Sequence, residues 1–481
     1  MNVVKEILRV VSWAALVYFA VLSLANVTFT LVAWRRLAAH RRARRYLPLD
    51  EMDASPFTPP ISMLVPAFNE EAEIVSSVDS LLDLRYPRHE VIVINDGSTD
   101  RTLEQLRAAF DLAPVRKALR TRIATAPVRA SYVSRTHPNL WVLDKENGGK
   151  SDSLNVGINA ATHAHVCVID ADAVLEQDSL LRIVKPFVDD PELVAAAGGI
   201  VRVANGCVID RGSLVEFRLP QNSLARFQVL EYFRVLLIGR IAFDSLNGVF
   251  IIFGAFGLFK RAIVEAVGGY ARDTVGEDVD LVVRLHRYLR TRGEEYRIRF
   301  IPDPVCWTEA PEDLATLSHQ RRRWQRGVGE VLWRHRSQIG NPRAGALGLV
   351  VLPYVLLFEV LGSIPQFLGI PVVLVSWLLG AVSLQFFLAF VAVSILLSVL
   401  LSIAAIMLGE YELRHEKRAS DNALLVLYGL LEDFGYRQMT AFFGCRGVVD
   451  LMRGRHDWGE MRRRGLERPE EASVPRERAR T

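Results

Sequence analysis

His165-Val-Cys-Val-Ile-Asp170-Ala-Asp172 is a β-branched, apolar run that ends abruptly in two carboxylates. Two runs of the same kind precede it, Ile61-Ser-Met-Leu-Val-Pro66 and Glu90-Val-Ile-Val-Ile-Asn95. Short continuous apolar segments of this type are strands buried on both faces, as in a parallel sheet. Helical patterns separate them, Glu71 to Leu82 after the first and Thr99 to Phe110 after the second. The alternation predicts an α/β domain with a doubly wound, mostly parallel sheet that binds ligands at the carboxyl ends of its strands. Acidic residues stand at those ends.

Working outward, about 280 residues, 55–343, form this domain, and they are flanked on both sides by apolar blocks. Residues 10–34 contain no Asp, Glu, Lys, Arg or His, and roughly 20 apolar residues suffice to cross a bilayer. A transmembrane helix over about residues 10–34 is expected; a cleaved leader would have a shorter apolar core followed by a small-residue cleavage site. Six arginines and no acid follow between Arg35 and Arg45, which holds residues up to 54 on the cytoplasmic side. Ala344 to Leu408 carries one charge, Glu359, and has length for three helices with breaks near Gly362-Ser-Ile-Pro365 and Gly380-Ala-Val-Ser383. Ala423 to Val449 is apolar but contains Glu432, Asp433 and Arg437, so it spans, lies in the interface or lines a cavity. Residues 344–450 are thus read as membrane or interfacial helices and 451–481 as a basic cytoplasmic tail. A cytoplasmic tail needs an even number of crossings after the soluble domain, and four is the expectation, with two as the alternative.

Composition agrees. The 481 residues are 50% hydrophobic and 23% charged, which argues against disorder and against a small disulfide scaffold. Cys167, Cys207, Cys306 and Cys445 are too scattered for a zinc site and read as reduced, packed residues. Net charge is only +4 with the basic residues clustered, which suits a membrane surface rather than nucleic acid.

The motifs at the strand ends each admit a plain reading. Pro66-Ala-Phe-Asn69-Glu70 and Asn95-Asp96-Gly97-Ser98 use the residues of ordinary strand-to-helix turns, yet a carboxylate there can accept a base N–H. In Asn147-Gly148-Gly149-Lys150 two glycines permit close backbone approach and a lysine offers a point charge to phosphate; a solvated loop lysine is the alternative. Asp170-Ala-Asp172 can present oxygens to a hard divalent cation, although many such pairs do not. Gly276-Glu277-Asp278-Val-Asp280 is either an acid-decorated helix start or the place of a carboxylate base. Gln320-Arg-Arg-Arg323-Trp324 is either a headgroup-facing stripe or a sugar platform beside a diphosphate-binding arginine.

In this order, and between membrane helices, the six motifs resemble the processive branch of glycosyltransferase family 2, to which cellulose, hyaluronan and poly-N-acetylglucosamine synthases belong. The resemblance runs from about Pro59 to Gly329 and implies a GT-A-like domain inserted between transmembrane helices. It implies that Pro66, Asn69, Glu70, Asp96, Lys150 and Asp170 hold the donor nucleotide, and that Asp170 and Asp172 hold Mg²⁺ or Mn²⁺. Asp278, with Glu277 beside it, would be the base, and Gln320, Arg323, Trp324 and Gly254 would meet the diphosphate and acceptor sugar. Gly254 lies in Phe253-Gly-Ala-Phe-Gly257, similar to an acceptor-end loop, and the mixed apolar and arginine run from Leu224 to Phe243 reads as an interfacial helix.

The implied activity is inverting polymerisation of a UDP-sugar, UDP-GlcNAc or UDP-Glc, into a β-linked exopolysaccharide. The expected partners are the UDP-sugar donor, the growing polysaccharide, the lipid bilayer, and accessory export or regulatory subunits. The expected place is a bacterial-type inner membrane, multi-pass, with the catalytic domain cytoplasmic. Two alternatives remain at this stage: a family member adding one sugar to a polyprenyl phosphate or glycolipid, and an inactive glycan- or nucleotide-binding subunit of a secretion complex.

Overall fold

The computed structural model describes residues 2–44, 48–210, 213–412 and 419–454, so nearly all of the expected basic tail lies outside the described residues. The strands are β1 (Ile61–Ala67), β2 (His89–Asn95), β3 (Leu112–Pro114), β4 (Val128–Ser134), β5 (Leu140–Lys145), β6 (His165–Val168), β7 (Val174–Leu175), β8 (Val194–Val203), β9 (Val208–Asp210), β10 (Ser213–Glu216), β11 (Gly257–Lys260) and β12 (Arg297–Thr308). Ten of them form one sheet in the order β3-β4-β5-β2-β1-β6-β11-β8-β12-β7, and β9 pairs with β10 separately.

The three strands read from sequence are its centre, with β1 parallel to both β2 and β6. The sheet is mixed, however, rather than mostly parallel. β5 and β12 also pair in parallel with their inner neighbours, but β3, β4, β7 and β11 enter antiparallel. The physical reason lies in the connections. Only a long crossover can return a chain parallel to its neighbour, whereas β4 reaches β5 through a short loop, and hairpin-connected strands must be antiparallel. Met63, Leu64, Val65, Val91, Ile92, Val93 and Cys167 are fully buried, which accounts for their unbroken apolar run.

The helices that matter for the site are α1 (Asn2–Arg44), α2 (Ile74–Leu82), α3 (Thr102–Ala109), α4 (Lys150–Ala160), α5 (Ser179–Asp189), α6 (Ser223–Tyr232) and α7 (Arg240–Ser245). They are followed by α8 (Glu277–Thr291), α9 (Leu314–Arg334), α10 (Leu347–Val360), α11 (Ser363–Leu378), α12 (Leu384–Gly409), α13 (Ala419–Leu431) and α14 (Tyr436–Met452). Both α2 and α3 begin three residues later than the sequence pattern suggests. The residues that would have formed their first turns bond the two loops to each other instead, as described below.

Among the described residues, α1 and α12 are long and apolar enough to cross a membrane, and α10 with α11 makes a third candidate bent by 50°. Counting the bent pair as one candidate span, two candidates among the described residues follow the soluble domain. The break foreseen near Gly362 is this bend. Gln325 Nε2 takes the carbonyls of Glu359 and Val360 at 3.0 and 2.7 Å, so the helical ladder is interrupted there by a side chain. The break near Gly380 is a true turn, with Gly380 at φ +65°. The Ala423–Val449 segment divides at Glu432-Gly435 into α13 and α14, and Arg437, Thr440 and Gly444 of α14 line an internal cavity. The Leu224–Phe243 segment is helical: α6 packs on β8 and α13, a π-helical turn over Phe233–Gly239 packs on α1 and α12, and α7 follows. All four cysteines are free, three of them buried.

Candidate active site

The site begins where β1 and β2 end. Asn69, in the left-handed region at φ +57°, accepts the Thr99 N–H with its side chain at 2.9 Å while its own N–H goes to Ser98 Oγ. The Glu70 N–H goes to Thr102 Oγ1 and the Glu71 N–H to Asp100, which in turn accepts the Thr102 N–H. These bonds tie the two motif loops into one unit and delay both helices. Asn69 therefore braces the loops, and its side chain is not on the cavity wall, unlike Pro66 and Glu70.

Asp96 is buried and receives three donors. Lys145 Nζ and the Gly148 N–H reach Oδ1 at 2.5 and 3.0 Å, and the Gly149 N–H reaches Oδ2 at 2.8 Å. A carboxylate has about four lone-pair sites, so one remains for a base N–H. Lys145, which the sequence reading passed over, is completely buried and also pairs with Asp152 at 3.0 Å; Asp152 in turn holds Arg272 and the Ala126 N–H. The only signal for it was an ammonium at a strand end two residues before Asn147-Gly-Gly-Lys.

That anchored turn, with Gly149 at φ +85°, starts α4 and delivers Lys150 to the cavity. Its Nζ lies 2.5 Å from Asp170 Oδ1. Burial works against the ammonium, but Asp170, Asp278 and Glu277 outweigh it and hold Lys150 above the usual lysine range. Asp170 and Asp172 leave β6 on the same wall.

α8 brings the second carboxylate set. Asp278 Oδ2 accepts the Gly254 N–H at 2.8 Å, and Oδ1 is buried with no hydrogen-bond partner. A Cβ at residue 254 would lie within 3 Å of both Lys150 Nζ and Asp278 Oδ2, so only glycine fits between them. Burial raises the pKa of Asp278, and Asp170 adds to this while Lys150, the Gly254 N–H and Arg323 oppose it. Burial and the neighbouring Asp278 raise Glu277 likewise. Asp280 is turned elsewhere: Arg284 at 2.6 Å and His335 at 2.9 Å hold it, and its pKa is lowered despite burial.

α9 supplies the remaining wall. Gln320, Arg323 and Trp324 line the cavity; Gln320 Oε1 is buried without a hydrogen-bond partner, and Trp324 is 39% exposed with the Arg321 guanidinium 4.5 Å from its ring. Arg321 is tied to Glu231 and Arg322 to Asp450, so those two are structural. The structure thus gathers twelve of the thirteen sequence-read site residues, Gly254 among them, around one cavity, Asn69 being the exception just described. The cavity, about 1330 Å³, does not stop at the domain. It continues past Phe253 and Arg240 to Asn26 and Phe29 of α1 and Tyr354 and Glu359 of α10.

A mixed α/β sheet with Asp170 and Asp172 at a strand end and Asp278 at a helix start, all facing one cavity, defines the class as a GT-A-like α/β fold. More particularly, residues 62–268 match the model described as Glycosyl transferase family 2. A poly-beta-1,6-N-acetyl-D-glucosamine synthase of Staphylococcus epidermidis is 28% identical over 304 residues, covering 63% of this chain and 61% of that protein. The protein of the same name from Staphylococcus aureus (strain COL) is 29% identical over 304 residues with the same coverage. The chain thus spans about three fifths of the length of the curated relatives it matches. A mannosyltransferase from Pyrobaculum calidifontis, solved in complex with GDP-Man and Mn²⁺, superposes with a TM-score of 0.51 at 17% identity, covering 93% of this chain and all of that one. That likeness is one of fold.

Proposed function

We propose that the protein is a membrane-embedded, processive, inverting glycosyltransferase that polymerises a UDP-sugar into a β-linked exopolysaccharide. UDP-GlcNAc is the favoured donor, in keeping with the names of the relatives above. The observation that carries the reading is the single cavity that joins the Asp170–Asp278 cluster to the membrane helices, with Trp324 exposed on its wall.

The reaction needs one displacement. The acceptor hydroxyl oxygen attacks the anomeric carbon, the bond from that carbon to the diphosphate oxygen breaks, and the hydroxyl proton passes to Asp278. Oδ1 of Asp278 has no hydrogen-bond partner and burial raises the pKa of the carboxyl, both of which suit a general base. Lys150 and Arg323 offset the charge that grows on the departing UDP. Asp96 has one acceptor site left for the base, and Trp324 offers a flat apolar face on which successive sugars can stack and slide.

Asp170 and Asp172 offer only oxygen donors, and no cluster of three His, Cys, Asp or Glu suited to a metal occurs among the described residues. Two carboxylates with the remaining positions left to diphosphate and water fit Mg²⁺ or Mn²⁺, which would neutralise diphosphate charge when bound. The catalytic domain would face the cytoplasm of a bacterial-type inner membrane, and the helices would lead the product outwards, with accessory subunits completing export.

A second reading has one observation in its favour: the same apolar-walled cavity would accept the chain of a polyprenyl phosphate that receives a single sugar. Incubating purified protein with a panel of UDP-sugars and sizing the products decides. Long products support polymerisation; singly extended lipid alone supports the second reading; no UDP release from any donor sinks both.

A further inference from the structure

Arg240 is a buried charge to which the chemistry above gives no task. It opens α7, is 5% exposed and lines the cavity, and its Nε and Nη1 have no hydrogen-bond partner among the described residues. Burying guanidinium donors unpaired costs stability, and proteins retain that cost chiefly where something else completes the bonding. The guanidinium carbon lies 4.5, 5.5 and 5.9 Å from the ring centres of Phe250, Phe253 and Phe243. Those rings fix its direction without consuming its N–H groups. Phe253 precedes Gly254, whose N–H holds Asp278, so Arg240 stands just beyond the reacting centre on the side of the membrane helices.

Glu359 lines the same cavity from α10, and its charge reaches Arg240, yet the two form no ion pair among the described residues. Its backbone carbonyl is held by Gln325, the residue after Trp324. The separation leaves a fork of donors and a pair of acceptor oxygens apart across one space. An arginine alone would favour a phosphate. A carboxylate sharing the space cancels that preference and repels an anion, while hydroxyl and amide groups can use both partners at once.

We infer that Arg240 and Glu359 form a charge-balanced subsite for an uncharged sugar unit of the growing glycan, one or more units behind its acceptor end. Tyr354 and the phenylalanines beside Arg240 give that unit apolar faces. The inference rests on the polymerising reading above.

The test uses the full-length protein in detergent, with an uncharged β-linked N-acetylglucosamine pentasaccharide as one probe and a polyprenyl phosphate as the other. Arg240→Met should weaken pentasaccharide binding by roughly tenfold or more, the scale of a lost charge-assisted hydrogen bond, and shorten the polymer. Glu359→Gln should act in the same direction. Arg240→Lys, which keeps the charge but loses the fork, should recover only part. UDP binding reports that each variant is folded; if Arg240→Met fails it, Glu359→Gln and Arg240→Lys carry the test. Unchanged pentasaccharide affinity and polymer length in folded variants overturn the inference, as does a loss confined to polyprenyl phosphate. Folded Arg240→Met protein that makes full-length polymer leaves the proposed function standing without this subsite. Wild-type protein that binds pentasaccharide through Arg240 but makes no polymer does the reverse.

Discussion

Two lysines five residues apart, Lys145 and Lys150, head two carboxylate clusters that look alike in sequence and differ in what they leave open. Around Lys145, the oxygens of Asp96 and Asp152 are met by the ammonium, by backbone N–H groups and by Arg272. Around Lys150, Asp278 keeps one oxygen buried and unpartnered and Gln320 across the cavity keeps another. A cluster whose oxygens are mostly met holds a loop in place and leaves Asp96 a single acceptor site; one with buried oxygens left bare is held for a ligand. The same contrast recurs within one helix turn, where Asp280 is paired with Arg284 and His335 and Asp278 is not.

The sharpest way to break the comparison is Lys145→Met. It strands two buried carboxylates and should destabilise the folded protein by about 3–5 kcal/mol, read by thermal or denaturant unfolding in detergent. A variant with wild-type stability would mean that the cluster is not the anchor argued here. Next in size is Asp278→Asn, which keeps shape and removes basicity. Turnover should fall by at least roughly 10²-fold while UDP binding persists, whereas Asp280→Asn should lower stability first. Collapse of turnover in folded Asp280→Asn with near-normal Asp278→Asn would reverse the assignment.

Trp324→Ala tests the processive half. Folded protein should still bind UDP yet make short oligosaccharides; if tryptophan serves only as a headgroup anchor, product length stays unchanged. The smallest effect is the pH profile. Asp278 and Glu277 have raised pKa values and the base must be ionised, so activity should be lost as pH falls through a value above the ordinary carboxylate range of about 4. The limb belongs to the pair rather than to either residue. Asp280 works oppositely: its lowered pKa means that its pairing stabilises the fold above its unfolded pKa and is lost only as pH falls through its folded one. An acid limb of kcat/KM at ordinary carboxylate pH would argue against a buried base.

Much of this site was legible before any coordinates. Asp170, Asp172 and Asp278 could be read because carboxylates at strand ends and helix starts sit where an α/β sheet opens to ligands. Asn69 is harder to read, because an asparagine in a left-handed turn and one facing a ligand look the same in sequence, and the bond to the Thr99 N–H shows only in the fold. Lys145 and Gln325 are not legible because each acts through a partner far along the chain, and Arg240 because only the fold shows its buried donors left unmet.

The sequence by itself determined the elements and their chemistry: three buried strands, the acidic strand ends, the glycines at 148 and 149, and apolar blocks on either side of the domain. Hydrophobic periodicity and local turn preference are properties of neighbouring residues, so they survive in one dimension. Tertiary structure alone decided that the sheet is mixed, that Ala344 to Leu378 bends where Gln325 takes two helix carbonyls, and that one cavity links Asp278 to Glu359. Those are matters of which donor reaches which acceptor across tens to hundreds of residues. In a low-dielectric interior that pairing determines whether a charge is an anchor or a site.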